Sequence, residues 1–284
     1  MDLSDLAIFQ AVLQEGGITA AARRLHRVQS NITTRIKQLE DSLGVALFER
    51  DGRGVRPTAA AQVLASYSER LLALADEARA AVASDTPRGT LRLGAMENTA
   101  AVRLPPLLAS FHQQHPSVRL ELRTGPTANM ISAVLAGELD CALVCGPVNE
   151  PRLESQPFCI ENLLLISALG AQVGPEHGPH TLLAFDHGCA YRQRLERWLE
   201  QSGCVIDRLV ALDSYHAMIS CAASGMGIAL VPEALLAMTP AAGHVATHPL
   251  PAQLAHAPTV LIRRRGVRAP AIDAFAASLR TFQQ

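Results

Sequence analysis

Residues 29–40 read QSNITTRIKQLE, and two stripes run along them. Ile32, Ile36 and Leu39 recur at spacings of four and three, which puts them on one face of a helix. Ser30, Thr34 and Lys37 fall on the other. That outer face offers hydroxyls, amides and a cation where an ordinary solvated helix mixes acids with bases. The segments on either side give it a context. Upstream, Leu6, Phe9 and Leu13 keep helical spacing until Gly16-Gly17, and Thr19 stands where it would cap a second short helix, TAAARRL. A turn near His26–Val28 leads into the quoted helix, which should end at Leu43-Gly44. Downstream, VALFERDGRGVRPT has an apolar start, a DGRG turn and a second arm, the pattern of a small hairpin carrying Arg50, Arg53 and Arg56.

This order of helix, short helix, turn, longer helix and hairpin predicts a winged helix-turn-helix over residues 1–58. In such a unit the third helix keeps its apolar stripe inward and offers the other face to the major groove, where acids would repel phosphate. Residues 18–57 carry Arg23, Arg24, Arg27, Arg35, Lys37 and the three hairpin arginines against Glu40, Asp41, Glu49 and Asp51. The local excess of cations agrees with a double-stranded DNA partner.

Composition excludes other classes. The chain has 284 residues, 49% hydrophobic and 18% charged, enough for two or three domains with buried cores. Its net charge is -1, so the distribution of charge informs where the total does not. The longest apolar runs fall well short of the roughly 20 residues of a membrane helix, and MDLSDLAIF lacks the basic start of a signal peptide. We therefore expect a cytoplasmic protein with no membrane partner. The six cysteines are irregularly spaced and suggest neither a zinc site nor a disulfide framework; Cys141 and Cys145 read as small core residues of an apolar strand. No metal or cofactor is expected. GxSxG, GxxxxGKS and HExxH motifs do not occur, and Ser214 with His216 reads as a helix cap and a pocket histidine, so no enzyme is expected.

Residues 59–89 predict a linker helix and hinge. Ala60, Leu64, Tyr67, Leu71, Leu74, Ala78 and Ala81 alternate spacings of four and three, a coiled-coil seam. Pairing with a second copy would bury Leu64, Tyr67, Leu71, Leu74 and Ala78, and would fix the separation of two reading helices on a pseudo-palindromic operator. DTPRG, residues 85–89, is the hinge.

Residues 90–284 alternate strand and helix: TLRLGAM, a helix through Leu107, VRLELRTG, NMISAVLAGELD, CALVCGP. A second series runs from LLLISAL through TLLAF, AYRQRLERWLEQSG, VIDRLVALDS and YHAMISCAASGMG to IALVP. The pattern predicts parallel sheet with crossover helices in two lobes, lobe I about 90–160 and 266–284 and lobe II about 161–265. Ligands of such sheets bind beyond the carboxyl ends of strands. That rule selects Glu97, Asn98 and Thr99, then Thr124 and Gly125, then Gly146. Ser214, Tyr215 and His216 open a later helix, and Tyr191 and Arg192 open another. Arg192 would either clamp a carboxylate or pair with Glu196 one turn on; Glu97 would either meet an amine or sit solvated.

ITAAARRL followed by QSNITTRIKQLEDSLGVALFERDGRGVRPTAAA resembles the winged helix-turn-helix of LysR-type transcriptional regulators. The remaining length fits that family's periplasmic-binding-protein-like effector domain. The resemblance implies base-edge contacts from Gln29, Ser30, Thr33 and Thr34, with Thr19 and Asn31 beside them. It implies phosphate or minor-groove contacts from Arg23, Arg35, Lys37, Arg50, Arg53 and Arg56. Thr34, Arg35 and Ser30 stand where the family commonly has Arg, Gln and Pro, so the operator half-site would differ. The family also implies a homodimer or homotetramer, and RNA polymerase as a partner if the protein activates. CxYRxxxExW with SYHxM is similar to a branch that includes putrescine-utilisation regulators. The expected function is a DNA-binding regulator governed by a small carboxylate, amine or amino acid bound between the lobes. A redox-sensing regulator using Cys189 or Cys204 is the alternative, and a free solute-binding protein would lack the basic N-terminal unit.

Overall fold

A computed structural model of the chain describes residues 1–51, 54–83 and 86–282. It divides into two compact units, residues 1–84 and 85–284. In the first, α1 (Leu3–Glu15), α2 (Ile18–Arg24) and α3 (Gln29–Leu43) precede a hairpin of β1 (Phe48–Asp51) and β2 (Gly54–Pro57), and α4 (Ala59–Ala83) follows. Asp2 and Asp5 form a reciprocal capping box at the start of α1, and Gly16 closes it in the left-handed region. The α2 cap differs from expectation: Gly17 is the N-cap with no side-chain bond, and Thr19 lies one residue inside the helix.

The three apolar residues of α3, Ile32, Ile36 and Leu39, are buried against Phe9, Val12, Ala21, Ala22 and Leu47. Each such side chain contributes roughly 1.5–3 kcal/mol of burial. Glu40 fixes the exit from α3, because its Oε1 accepts the backbone N–H groups of Leu47 at 2.7 Å and Phe48 at 3.1 Å. Thr58 then caps α4, accepting the Ala61 N–H while donating to the Ala46 carbonyl.

The linker helix has two faces. Ala61 is fully buried and Leu64 packs on the same core, so Leu64 belongs to the winged unit and not to the expected seam. Gln10 of α1 donates to Ser68 Oγ and to the Ala65 carbonyl, holding that face down. On the opposite side Val63, Tyr67, Leu71 and Leu74 are exposed, with the Arg70 guanidinium over the Tyr67 ring.

The second unit contains β3 (Gly89–Ala95), a π-helical turn Thr99–Arg103 running into α5 (Leu104–Gln114), β4 (Val118–Thr124), α6 (Thr127–Ala136) and β5 (Cys141–Cys145). It continues with β6 (Leu153–Ala168), β7 (His180–Ala184), α7 (Ala190–Ser202), β8 (Ile206–Ala211), α8 (Tyr215–Ala223), β9 (Ile228–Pro232) and α9 (Glu233–Leu236). Last come β10 (Val245–His248), α10 (Ala252–Ala255), β11 (His256–Arg264) and α11 (Pro270–Phe282). The strand order is β4-β3-β5-β11-β6-β9-β7-β8, with β10 on β6. β3 pairs in parallel with β4 and β5, and β7 in parallel with β8 and β9. The joins β5-β11, β11-β6 and β6-β9 are antiparallel. The sheet is thus mixed where sequence predicted it parallel, and β11, placed by sequence in lobe II, pairs with β5 of lobe I.

Separate cores serve the lobes. Phe111 meets Phe275 of α11 edge-on at 5.5 Å in lobe I, so the last helix returns to the first lobe. Leu165, Leu182, Leu195, Met218 and Val231 lie in the core of lobe II. Gly227 lies where β9 begins beside β7, and a Cβ there would overlap the Thr181 carbonyl oxygen. Gly227→Ala is therefore expected to cost about 1–3 kcal/mol, read as a lower urea midpoint with an unchanged slope.

Candidate effector cavity and DNA-reading face

Two parallel pairs of strands, β3 with β4 and β7 with β8, end at one cavity of about 230 Å³. Its walls are the segments that follow those strands: Met96, Glu97 and Asn98; Thr124–Thr127; Phe185, Asp186 and Cys189–Tyr191; Asp213 and Tyr215. Two hydrogen bonds join the lobes across it. Asn98 Nδ2 donates to the Tyr191 hydroxyl at 3.5 Å, and Ala128 N donates to the Gly188 carbonyl at 3.3 Å. Gly188 is in the left-handed region at φ 91°, and a Cβ there would press on Ala128, so this close approach needs glycine.

The helices α6, α7 and α8 begin at the cavity, and none has a side-chain cap from its N-cap residue. Tyr215 and Tyr191 are buried, and burial raises both phenols, so both are neutral. Phe185 and Tyr215 meet edge to face at 4.8 Å and make an aromatic wall. Glu97 is half-buried with its Oε2 atom enclosed and without a hydrogen-bond partner. Desolvation raises its pKa, and the His216 charge opposes that shift.

The structure brings Glu97, Asn98, Thr124, Gly125, Tyr191 and Tyr215 together in the lining. Thr99 is buried beneath, and Ser214 and His216 flank the lining without joining it. Gly146 is not in the lining; it sits against Val260 of β11, where its N–H bonds to the Pro258 carbonyl. Arg192 is not in the lining either. Its Nε bonds Glu196 at 2.7 Å, and its Nη1 reaches the Phe185 carbonyl at 3.3 Å and stands 3.8 Å from Asp186, so its donors are engaged by the protein. Phe185, Asp186, Cys189 and Asp213 were missed by the sequence reading, although each follows a strand end as the other lining residues do. Glu161, 2% exposed on β6, was missed too; Arg103 grips it with bonds of 2.8 and 3.1 Å.

Of the redox candidates, Cys189 lines the cavity with its thiol pKa raised by desolvation, and Cys204 is buried. They flank the 13 residues of α7, about 20 Å at 1.5 Å each, too far for a disulfide between them.

On α3, Gln29, Ser30, Asn31, Thr33, Thr34 and Lys37 are exposed on one side, as are Thr19 and Arg23 of α2. Thr33 Oγ1 donates to the Gln29 carbonyl at 3.0 Å. Arg35 does not join this face as a free cation, because it pairs with Asp2 at 3.0 Å and Asp5 at 2.9 Å and ties α3 to the start of α1. Arg56 is on β2; Arg53 and the Arg50 side chain lie outside the described residues.

A family model described as bacterial regulatory helix-turn-helix protein, lysR family, matches residues 3–62, and one described as LysR substrate binding domain matches residues 84–284. The chain belongs to the LysR family. Among curated relatives, the HTH-type transcriptional regulator GltR of Bacillus subtilis is 37% identical across 99% of this chain and 96% of its own. The uncharacterized HTH-type transcriptional regulator YusT of the same organism is 39% identical across 99% and 94%. Solved structures share the fold: a full-length OxyR variant from Pseudomonas aeruginosa (TM-score 0.70, 24% identity, 99% of this chain and 95% of that one) and full-length CbnR complexed with its target DNA (TM-score 0.69, 24%, 99% and 100%). This LysR-type protein is a DNA-binding transcriptional regulator with a winged helix-turn-helix, a linker helix and a two-lobed effector-binding domain. No helix among the described residues is long and apolar enough to cross a membrane.

Because Arg192 is not in the lining and its Nε is held by Glu196, Arg192→Ala is expected to leave effector affinity within about twofold, while loss of the i,i+4 pair and of the bond to the Phe185 carbonyl costs roughly 1–2 kcal/mol. Calorimetric titration and urea melts of the variant check the two halves separately.

Proposed function

We propose that a small metabolite bearing an ammonium group, a carboxylate or both binds in the cavity between the lobes and thereby changes how two winged units meet operator DNA. The supporting observation is that four strand ends and both lobes contribute to one cavity, bridged by Asn98–Tyr191 and Ala128–Gly188. A ligand touching both lobes binds their two arrangements with different affinity, which is what coupling requires. The domain roles follow: residues 1–58 read DNA, 59–89 pair the subunits, and 90–284 sense the effector. The protein acts as a regulator and not as an enzyme, and its place is the cytoplasm, where its DNA is.

In this reading Gln29, Ser30, Asn31, Thr33 and Thr34 meet base edges, and Arg23, Lys37 and Arg56 meet phosphate; Thr19 lies beside them. Arg35 positions the helix. A structural relative solved with its target DNA lends support to this docking. The exposed stripe of Val63, Tyr67, Leu71 and Leu74 supports pairing through α4, with Ala78 further along the same helix. A tetramer built from two such dimers, and contact with RNA polymerase when the protein activates, belong to the same proposal. The redox alternative has less support, because burial holds the Cys189 thiol away from the reactive thiolate.

Lys37→Ala is expected to weaken binding to every duplex alike and to lower the salt slope by about 1, whereas Thr34→Ala alters preference among duplexes with the slope unchanged. Anisotropy titrations over a salt series, run on duplexes differing at single base pairs, separate the two; identical behaviour of both variants contradicts the assignment. Tyr67→Asp with Leu74→Asp should lower the subunit number seen in sedimentation, and unchanged assembly counts against pairing through this stripe.

A further inference from the structure

The cavity's charges all have one sign. Glu97 forms part of the wall with Oε2 enclosed and unpartnered, Asp186 and Asp213 stand at the exposed rim, and no lysine or arginine is in the lining. Arg192, outside the lining, pairs with Glu196 at 2.7 Å and stands 3.8 Å from the rim carboxylate of Asp186, and Arg194 donates to the carbonyls of Gln253 and His256. His216, outside the lining, interacts electrostatically with Glu97. An enclosed carboxylate oxygen with no donor in the protein is one that a ligand donor can satisfy, and leaving it unmet is costly. Phe185 and Tyr215 meet edge to face in the same lining, and aromatic rings attract cations through their negative faces.

The three helix starts add partial positive charge and favour an anionic atom. Part of that capacity is already taken. At the start of α6 the Ala128 N–H bonds to the Gly188 carbonyl. The fractional charge of a helix start, about half a unit, does not outweigh full carboxylates, so a ligand with carboxylates alone meets net repulsion. A ligand with an ammonium group is attracted whether or not it also carries a carboxylate.

We propose that the effector is a small organic cation whose ammonium group sits against Glu97, beside the Phe185–Tyr215 wall. This rests on the reading of the cavity as the effector site. The volume of about 230 Å³ falls below the roughly 300–1,000 Å³ of sites for drug-sized ligands, so the ligand is small.

The test uses three four-carbon probes of nearly equal length, 1,4-diaminobutane, 4-aminobutyrate and succinate, titrated calorimetrically into the full-length wild-type chain, Glu97→Gln and Ala190→Phe. Glu97→Gln keeps the shape and removes the charge; Ala190→Phe fills the cavity. The expected result is heat of binding from at least one amine and none from succinate, with amine affinity falling about ten- to a hundredfold in Glu97→Gln and lost in Ala190→Phe. Far-UV circular dichroism and urea midpoints of both variants confirm that they are folded. Succinate binding as tightly as the amines, amine binding untouched by Glu97→Gln, or silence from both amines each overturns the cation assignment. The cavity reading fails separately: it falls if a probe that binds wild type binds Ala190→Phe equally well.

Discussion

Everything in the effector domain depends on one pair of strands. β6 and β11 run antiparallel from His256↔Asn162 to Arg264↔Leu153, and β6 continues to Ala168, where it meets β9 and β10. A strand's N–H and C=O groups must be paired along its length, so these strands cannot end at a lobe boundary and instead carry the sheet from one lobe into the next. The parallel groups β4-β3-β5 and β8-β7-β9 are thereby hung on either side of the same ladder, with the ends of β3, β4, β7 and β8 turned toward one cavity. The Arg103–Glu161 pair reinforces the join, because Glu161 sits buried on β6 opposite Ala257 of β11 while the partly exposed Arg103 belongs to the π-helical turn after β3. Truncating Arg103 strands the Glu161 charge away from water.

The N-terminal unit rests on a different economy. Its core is a few helix stripes, and polar side chains do the positioning: Glu40 accepts two backbone N–H groups at the start of the wing, Gln10 holds the linker helix, and Arg35 locks α3 to the carboxylates of Asp2 and Asp5. With those groups engaged inward, the outer side of α3 is left to Gln29, Ser30, Asn31, Thr33, Thr34 and Lys37. Chemistry that holds the helix and chemistry that can read DNA are thus divided between two sides of the same 15 residues.

Strong periodicity made part of this legible in the sequence. The α3 stripe, the glycine stops at Gly16 and Gly44, the DGRG hairpin and the order of alternating strands and helices all depend on local patterns. Strand ends likewise pointed to Glu97, Asn98, Thr124 and Gly125, and helix starts to Tyr191 and Tyr215. The two crossover strands were hidden because Pro157 and Pro258 interrupt their runs, and proline argues against a central strand. They are tolerated beside a register shift at Thr259/Val260. The side chains read otherwise, Arg35, Arg192 and Leu64, are those whose partners lie on either of two faces, and a helical spacing alone does not say which neighbour captures a long arginine or a leucine at the edge of a stripe. Gly146 was chosen by the strand-end rule, yet β5 is covered by β11, so its end does not open onto the cavity.

The central claim is that paired subunits read DNA through α3. Selection of the full-length wild-type chain on a pool of randomised duplexes tests it most directly. The account predicts enrichment of two inverted half-sites at a fixed spacing, near one helical turn of about 10.5 base pairs or a multiple of it. Enrichment of a single half-site, or retention of duplexes without any shared sequence, would contradict it.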